Sequence, residues 1–496
     1  MKSGWEHVRT ASRPSLSARS IRWILFASLI LIPVAAYAHA RLKGSTPAAG
    51  AHLDAVPRAV RLDFSEMPEL TFTKVDLVDA SGQRVRLGPV AYATDSKRSV
   101  VVAVEGGMLA GDYTVLWQVA GDDGHPVRDQ FKFVVAPGAI GIGTIAPLPG
   151  VSDSVAAHIA VMESTQHHDP ASMPQGNGFG VDSALYVLVR WLMFVALMLM
   201  IGAVAFRQLV LRAVRMKQNS DSPILDDASL RAARIGHLSV GGLLLVLILR
   251  LLAQSVAMHG TADMFDVGLV SAMLRKTTWG QGWLLQFAGI AVAGYGFHRA
   301  KSARPPSVRA RSGWILATLG VIALAFTPGL AGHAASAPKL QALTLLSDGL
   351  HVLGAGGWLG SLTLMLLAGI PAALSLPEAK RAPTVATLFN AFSPIALLFA
   401  GLVATTGVFA AWMHVGSVAA LWQTGYGRTL LLKLAVLSMV AGTGAYNWLR
   451  IQPQLGKDSA TSRIRRSAAF EVAIALVVLL VTAVLVALPT SMDMTM

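Results

Sequence analysis

Tyr113-Thr114-Val115-Leu116-Trp117 and Phe131-Lys132-Phe133-Val134-Val135 bracket a short turn, Asp123-Gly124-His125-Pro126. In both runs apolar and polar residues alternate, so one face of each extended strand is apolar. Ala59-Val60-Arg61-Leu62-Asp63-Phe64 and Lys74-Val75-Asp76-Leu77-Val78 carry the same two-residue period. Ser81-Gly82 and Glu105-Gly106-Gly107 supply turns between them. Short alternating strands with no helical period predict a small antiparallel β-sandwich of roughly 100 residues.

Upstream of the strands, Arg19, Arg22 and the apolar run Trp23–Val34 precede Ala36-Tyr37-Ala38-His39-Ala40. A charged start, an apolar middle and small residues two apart are the marks of a secretory signal, expected over residues 1–38. Cleavage after Ala38 makes His39 the first mature residue. Its free α-amine and ring Nδ1 then offer two nitrogens to one metal, and nitrogen–oxygen ligation in a plane suits Cu(II). Asp123 and His125 stand two apart, so in extended backbone a carboxylate and an imidazole share one face. The chain has no cysteine, which excludes disulfides, thiolate metal sites and thiol nucleophiles. Soft-metal chemistry falls to 18 methionines and 13 histidines.

Downstream, Pro137-Gly138, Pro147-Leu148-Pro149-Gly150 and Pro174-Gln175-Gly176-Asn177-Gly178 mark a tether over residues 137–182. It contains the pair His167 and His168, near Met162 and Met173. Residues 183–490 are read as membrane-embedded. The chain is 54% hydrophobic and only 14% charged, with mean hydropathy +0.55. Eight stretches approach the roughly 20 residues that span a bilayer: Ala184–Phe206, His237–Met258, Gln281–Phe297, Gly313–Leu330, Leu343–Ile370, Leu388–Met413, Thr429–Trp448 and Ala469–Leu488. With a secreted N-terminal domain, the loops on the inner side hold 18 Lys and Arg and those on the outer side four. This is the bias of positive-inside orientation, and it accounts for the net charge of +14. Because the basic residues are divided among short loops, no nucleic-acid surface is expected. The topology puts the N-terminal domain and the C-terminus on the outer side of the membrane.

That topology also sorts the residues able to bind metal. Met258 with His259, His333, Met413 with His414, and the tail Met492, Met494 and Met496 (residues 491–496) fall at the outer face. Alternate thioethers suit Cu(I). His351 lies inside the fifth apolar stretch, where an ionisable group is costly and usually functional.

The strand domain resembles copper-resistance protein C (CopC), a periplasmic copper-binding domain of Ig- or cupredoxin-like fold. The resemblance rests on His39, Ser45-Thr46-Pro47-Ala48-Ala49-Gly50 and Leu62-Asp63-Phe64-Ser65-Glu66. It continues through Gly111–Trp117, Asp123-Gly124-His125-Pro126-Val127 and Phe131-x-Phe133-x-Val135. It implies that His39, Asp123 and His125 bind Cu(II), with Glu66 as a neighbouring acceptor. The domain's methionines are Met67 and Met108, so the family's methionine-rich Cu(I) site is not carried over. The membrane part resembles copper-resistance protein D (CopD) in Gly332-His333-Ala334-Ala335, His351 through Gly360, Tyr426-Gly427-Arg428-x-Leu430-Leu431-x-Lys433 and Asn447. A fused CopC–CopD chain implies capture of copper ions outside the membrane and transfer to or across it. A copper chaperone or a reductant is the implied soluble partner. No phosphate-binding G-x-x-x-x-G-K-[ST] is present, and no enzymatic activity is expected. The alternatives are copper sequestration without transport, a histidine-brace oxidase and a haem electron carrier. Asp123 as an anionic ligand argues against the oxidase, and the few deep histidines argue against the haem carrier.

Overall fold

β3 (Ala59–Phe64) buries Val60, Leu62 and Phe64 and leaves Arg61 and Asp63 at the surface, where they pair at 2.8 Å. The same alternation buries Tyr113, Val115, Trp117 and Val119 of β8 (Gly111–Ala120) and Phe133 and Val135 of β9 (Pro126–Ile140). Residues with a two-residue apolar period thus form the expected strands, because that pairing turns the apolar face of each strand into the core. The computed structural model describes residues 42–65, 67–120, 126–140, 184–218, 223–303, 307–330 and 341–488.

The remaining strands are β1 (Leu42–Thr46), β2 (His52–Ala55), β4 (Lys74–Asp79), β5 (Arg84–Val85), β6 (Ala91–Ala93) and β7 (Ser96–Ala103). They form two sheets, β1-β3-β7-β6 and β2-β9-β8-β4-β5. Every named pair is antiparallel except the short edge strand β2, which runs parallel to β9. Between the sheets Phe64 meets Trp117 edge-on at 5.4 Å, and within the second sheet the cross-strand pair Tyr113 and Phe133 stacks at 5.8 Å. Met108 is buried in this core and Met67 lies at the surface.

The apolar stretches form helices. In order these are α1 (Ala184–Lys217), α2 (Pro223–His259), α3 (Val267–Lys276), α4 (Thr278–Lys301), α5 (Val308–Leu330), α6 (Ala342–Leu374), α7 (Glu378–Val415), α8 (Gly425–Gln454) and α9 (Asp458–Leu485). Seven helices among the described residues are long and apolar enough to cross a membrane; α3 and α4 are not among them. Eight spans were expected, and α4 is the difference. Its 24 residues have the length, but Gln281, Gln286, His298 and repeated glycines dilute its apolar character.

Successive long helices run antiparallel. Gly296 of α4 packs on Gly313 and Ala317 of α5, and Gly320 packs on Ala293. A Cβ on either glycine would overlap the opposing backbone, so the absence of a side chain sets this close approach. Toward lipid, Leu397, Leu398 and Val408 of α7 are 70%, 71% and 72% exposed, as expected of a surface solvated by acyl chains. Three of the helices are interrupted by π-helical turns: α1 at Phe206–Leu211, α6 at Gly356–Gly360 and Met365–Gly369, and α8 at Asn447–Ile451.

Candidate metal centre

The sandwich sits on the C-terminal end of α2, and the contact has a clear physical reason. The last carbonyls of a helix have no partner within it. Gln118 Nε2 of β8 donates to Met258 O at 2.9 Å, and Arg128 Nη2 of β9 donates to Ala257 O at 2.6 Å. Arg128 Nε also donates to Gln118 Oε1 at 2.7 Å, so the two capping side chains hold one another. A guanidinium at a helix C-terminus additionally meets the negative end of the helix dipole. Beside these bonds, Phe72 and Ala120 of the sandwich close over Met258, Met273 and Trp279 in one buried cluster. Lys276 pairs with Glu69 at 3.0 Å on the rim.

β8 and β9 pair as far as Ala120 and Pro126. Asp123 and His125 belong in sequence to the connection between those two residues, and both lie outside the described residues. So do His39, Glu66, His167, His168, His333, Met492, Met494 and Met496. Among the described residues no group of three or more His, Asp or Glu is close enough together to hold a metal ion.

His259 is the described residue with the most telling surroundings. It is 5% exposed, at the end of α2, with the Phe72 ring 5.6 Å away. Ser255 Oγ donates its only proton to Met264 O at 2.7 Å. The 3.1 Å contact between Ser255 Oγ and His259 Nδ1 is therefore Nδ1–H donating to the hydroxyl. A neutral ring with its proton on Nδ1 carries its lone pair on Nε2. That Nε2 is buried and has no hydrogen-bond partner among the described residues. The neighbouring Met258 side chain is buried in the junction cluster.

His351 repeats the arrangement on α6. Thr406 Oγ1 donates to Leu402 O at 2.7 Å, so the 2.9 Å contact with His351 is Nδ1–H donating to Thr406. Gly407 leaves room for the ring: a Cβ there would lie 3.5 Å from His351 Cε1. His351 also interacts electrostatically with Lys433 of α8, and Lys433 with Asp348 of α6. His414 packs edge-on against Tyr426 at 6.4 Å, and Tyr426 in turn interacts with Asp348. Met413 beside it is partly exposed. Among the described residues, His259 and His414 thus belong to two separate neighbourhoods, His259 under the sandwich and His414 beside the Asp348–His351–Lys433 cluster.

Sequence reasoning missed three polar groups in the bundle. Asp348 stands one helical turn before His351 inside an apolar stretch, and that spacing alone was a usable signal. Arg250 of α2 is 8% exposed; its Nη1 donates to Gln286 Oε1 at 2.8 Å, and the same nitrogen lies 3.5 Å from Met193 Sδ. Glu471 of α9 is 4% exposed and accepts from Asn447 Nδ2 at 3.3 Å. Their partners Gln286 and Asn447 lie 36 and 24 residues away on other helices, so only the tertiary packing reveals these contacts.

The CopC domain family matches residues 42–136, the copper resistance protein D-like N-terminal domain matches 181–339, and the copper resistance protein D family matches 386–485. Copper transport protein CutJ of Bacillus subtilis (strain 168) is 25% identical over 480 residues, covering 95% of this chain and 78% of its own. Copper resistance protein C of Pseudomonas syringae pv. tomato is 30% identical over 116 residues, covering 22% of this chain and 91% of its own. Among solved structures, PcoC, a methionine-rich copper resistance protein from Escherichia coli, is 31% identical, covering 20% of this chain and 99% of that one at a TM-score of 0.19. A sandwich of CopC type followed by CopD-type membrane helices in one polypeptide places the chain in the fused CopC–CopD family of copper transport and resistance proteins.

Proposed function

We propose that the chain captures Cu(II) outside the membrane through His39, Asp123 and His125 and passes copper into the bundle for uptake, with His259 as the first acceptor and His351 deeper in. The observation that carries this reading is the docking of β8 and β9 on the end of α2. It brings the strand ends that flank Asp123 and His125 to a buried histidine whose Nε2 is unpartnered among the described residues. A metal site needs a deprotonated nitrogen held in position by a hydrogen bond from the other ring atom, and the Ser255 hydroxyl accepts that bond.

The proposed organisation has a signal at 1–38, the copper-binding sandwich at 39–136, a tether at 137–182, the membrane domain at 183–490 and a methionine tail at 491–496. With α4 as an eighth crossing, both the sandwich and the tail face the periplasm. The charge bias between the two sets of loops supports that orientation. Copper is cargo here, and conversion of Cu(II) to Cu(I) for thioether ligands takes one electron from an external reductant. Copper binding at the α-amine and imidazole displaces protons, so capture weakens as pH falls.

The test is copper stoichiometry and EPR on the mature full-length protein, together with copper accumulation in cells. H39A, or an uncleaved signal, abolishes the tight Cu(II) signal. H259A leaves that signal intact and lowers accumulation under copper limitation. Retention of the Cu(II) signal in H39A refutes the capture site. Unchanged accumulation in a deletion strain, with raised copper sensitivity, refutes import in favour of sequestration.

A further inference from the structure

In the half of the bundle remote from the sandwich, α6, α7, α8 and α9 line a half-open cavity of about 520 Å³. Its walls are apolar and aromatic, with Trp358, Leu362, Phe389 and Phe392 prominent. Glu471 and Asn447 line it. Glu471 is 4% exposed and Asn447 9% exposed. The carboxyl accepts one long hydrogen bond, 3.3 Å from Asn447 Nδ2, and rests on the α8 backbone, where a Cβ on Gly444 would lie 3.5 Å from Oε1. Asn447 Oδ1 is buried with no hydrogen-bond partner among the described residues. The helices packed against α9 are α1, α6, α7 and α8. Among the described residues they bring no Lys, Arg or His into an ion pair with Glu471, and Asn447 is the one side chain it engages. Arg450, Arg465 and Arg466, the charges nearest in sequence to this level, are exposed.

An ionised carboxylate in such a place is uncompensated, and that is expensive in a medium of low dielectric. Something positive must accompany it for part of the working cycle. Cu(I) is a poor fit, because the cavity offers no methionine or histidine and soft ions select sulfur and imidazole. A hard metal ion is also a poor fit, because it needs about six oxygen ligands and the walls are mostly carbon. A proton needs a single oxygen, and it gives the carboxyl a donor that the unpartnered Asn447 Oδ1 can accept.

We propose that Glu471 with Asn447 is a proton-binding site, and that its occupancy is linked to copper in the Asp348–His351–Lys433 cluster. The two groups of residues share helices. α6 carries His351 and, beyond the π-helical turn at Gly356–Gly360, the cavity wall Leu362. α8 carries Lys433 and, at the start of its own π-helical turn, Asn447. π-helical turns hold an extra residue and recur at functional sites. The linkage rests on the copper-transfer reading; the proton site itself does not.

The test uses the purified full-length protein in lipid vesicles. Infrared difference spectra on a pH step contain a carboxylic-acid C=O band that E471Q removes, that N447A shifts in frequency and that E471D retains. Separately, copper added to weakly buffered vesicles releases protons, read with a pH dye. Part of that release comes from the N-terminal amine and persists in E471Q, and the remainder is absent there. Copper affinity of the bundle changes by about tenfold across the titration of the band, a coupling of ordinary size. An infrared spectrum identical in wild type and E471Q overturns the proton site. A lost band with unchanged copper-linked proton release overturns the linkage alone. In both cases the EPR signal of the sandwich reports independently on copper capture.

Discussion

Under the proposed function copper transfer depends on the docking of the sandwich on α2, and the strength of that contact can be worked out term by term. Arg128→Ala removes the donor to Ala257 O and the brace on Gln118. A hydrogen bond from a charged group contributes about 1.5–3 kcal/mol. Arg128 keeps much of its surface in solvent, so the lower end applies, and a loss of about 1.5 kcal/mol weakens docking about tenfold. Phe72→Ala acts through burial. Phe72 is 1% exposed, and its cluster partners other than Ala120 all lie on the bundle. Truncation of a phenylalanine in such a site costs about 3–5 kcal/mol, and nearly all of it falls on the junction rather than on the sandwich core. Lys276→Ala removes an exposed rim pair worth about 1 kcal/mol or less.

The predicted order of disruption is therefore F72A, then R128A, then K276A close to wild type. The absence of cysteine makes the assay clean: spin labels on R98C in the sandwich and V267C in the bundle report one pair of positions and no other. Pulsed EPR on the full-length protein in lipid should give one narrow distance in wild type and K276A. R128A should show a detached fraction, and in F72A detachment should dominate. Because Arg128 and Gln118 are bonded to each other, the double variant with Q118A should cost less than the sum of the two single changes. A narrow, unshifted distance in F72A combined with R128A would refute the claim that these contacts hold the sandwich in place.

Thr406→Val leaves the His351 Nδ1–H without its acceptor, a loss of about 1 kcal/mol or more in a buried site; copper accumulation should fall and T406S should restore it. Gly360→Ala sets a methyl group against Met198 O and the Gly202 backbone, which should lower stability by about 1–3 kcal/mol in thermal unfolding of the purified protein. Gly401→Ala, where nothing lies within 4 Å, should stabilise α7 by about 0.5–1 kcal/mol.

Much of this architecture is legible in the sequence because two periods do most of the specifying. The two-residue alternation at 59–64 and 113–117 admits one burial pattern, and the strands follow it. The long apolar runs admit only helices, since a bilayer leaves no other partner for the backbone. α4 is where that reasoning strains. The sequence reads it as a span, yet its glycines dilute its apolar character, and in three dimensions they are the surface on which α5 packs. The parallel pairing of β2 with β9 was equally hidden, because a four-residue edge strand carries too little pattern to state its direction.

The site divides along a different line. Single residues at costly positions announce themselves, and His351 inside an apolar helix did so. Which partners they meet is decided by helix crossings that no local pattern encodes. The hydroxyls of Ser255 and Thr406 illustrate this. Each is an ordinary helix residue in sequence, and each fixes the proton of a histidine by giving its own to a backbone carbonyl. One of those histidines is four residues away on the same helix and was open to inference; the other is 55 residues away on a neighbouring helix and was not. The same chemical device, reached once locally and once through packing, places the ring proton on Nδ1 at the sandwich junction and again within the bundle. Under the proposed function, that recurrence is the physical reason to read the two histidines as steps on one route.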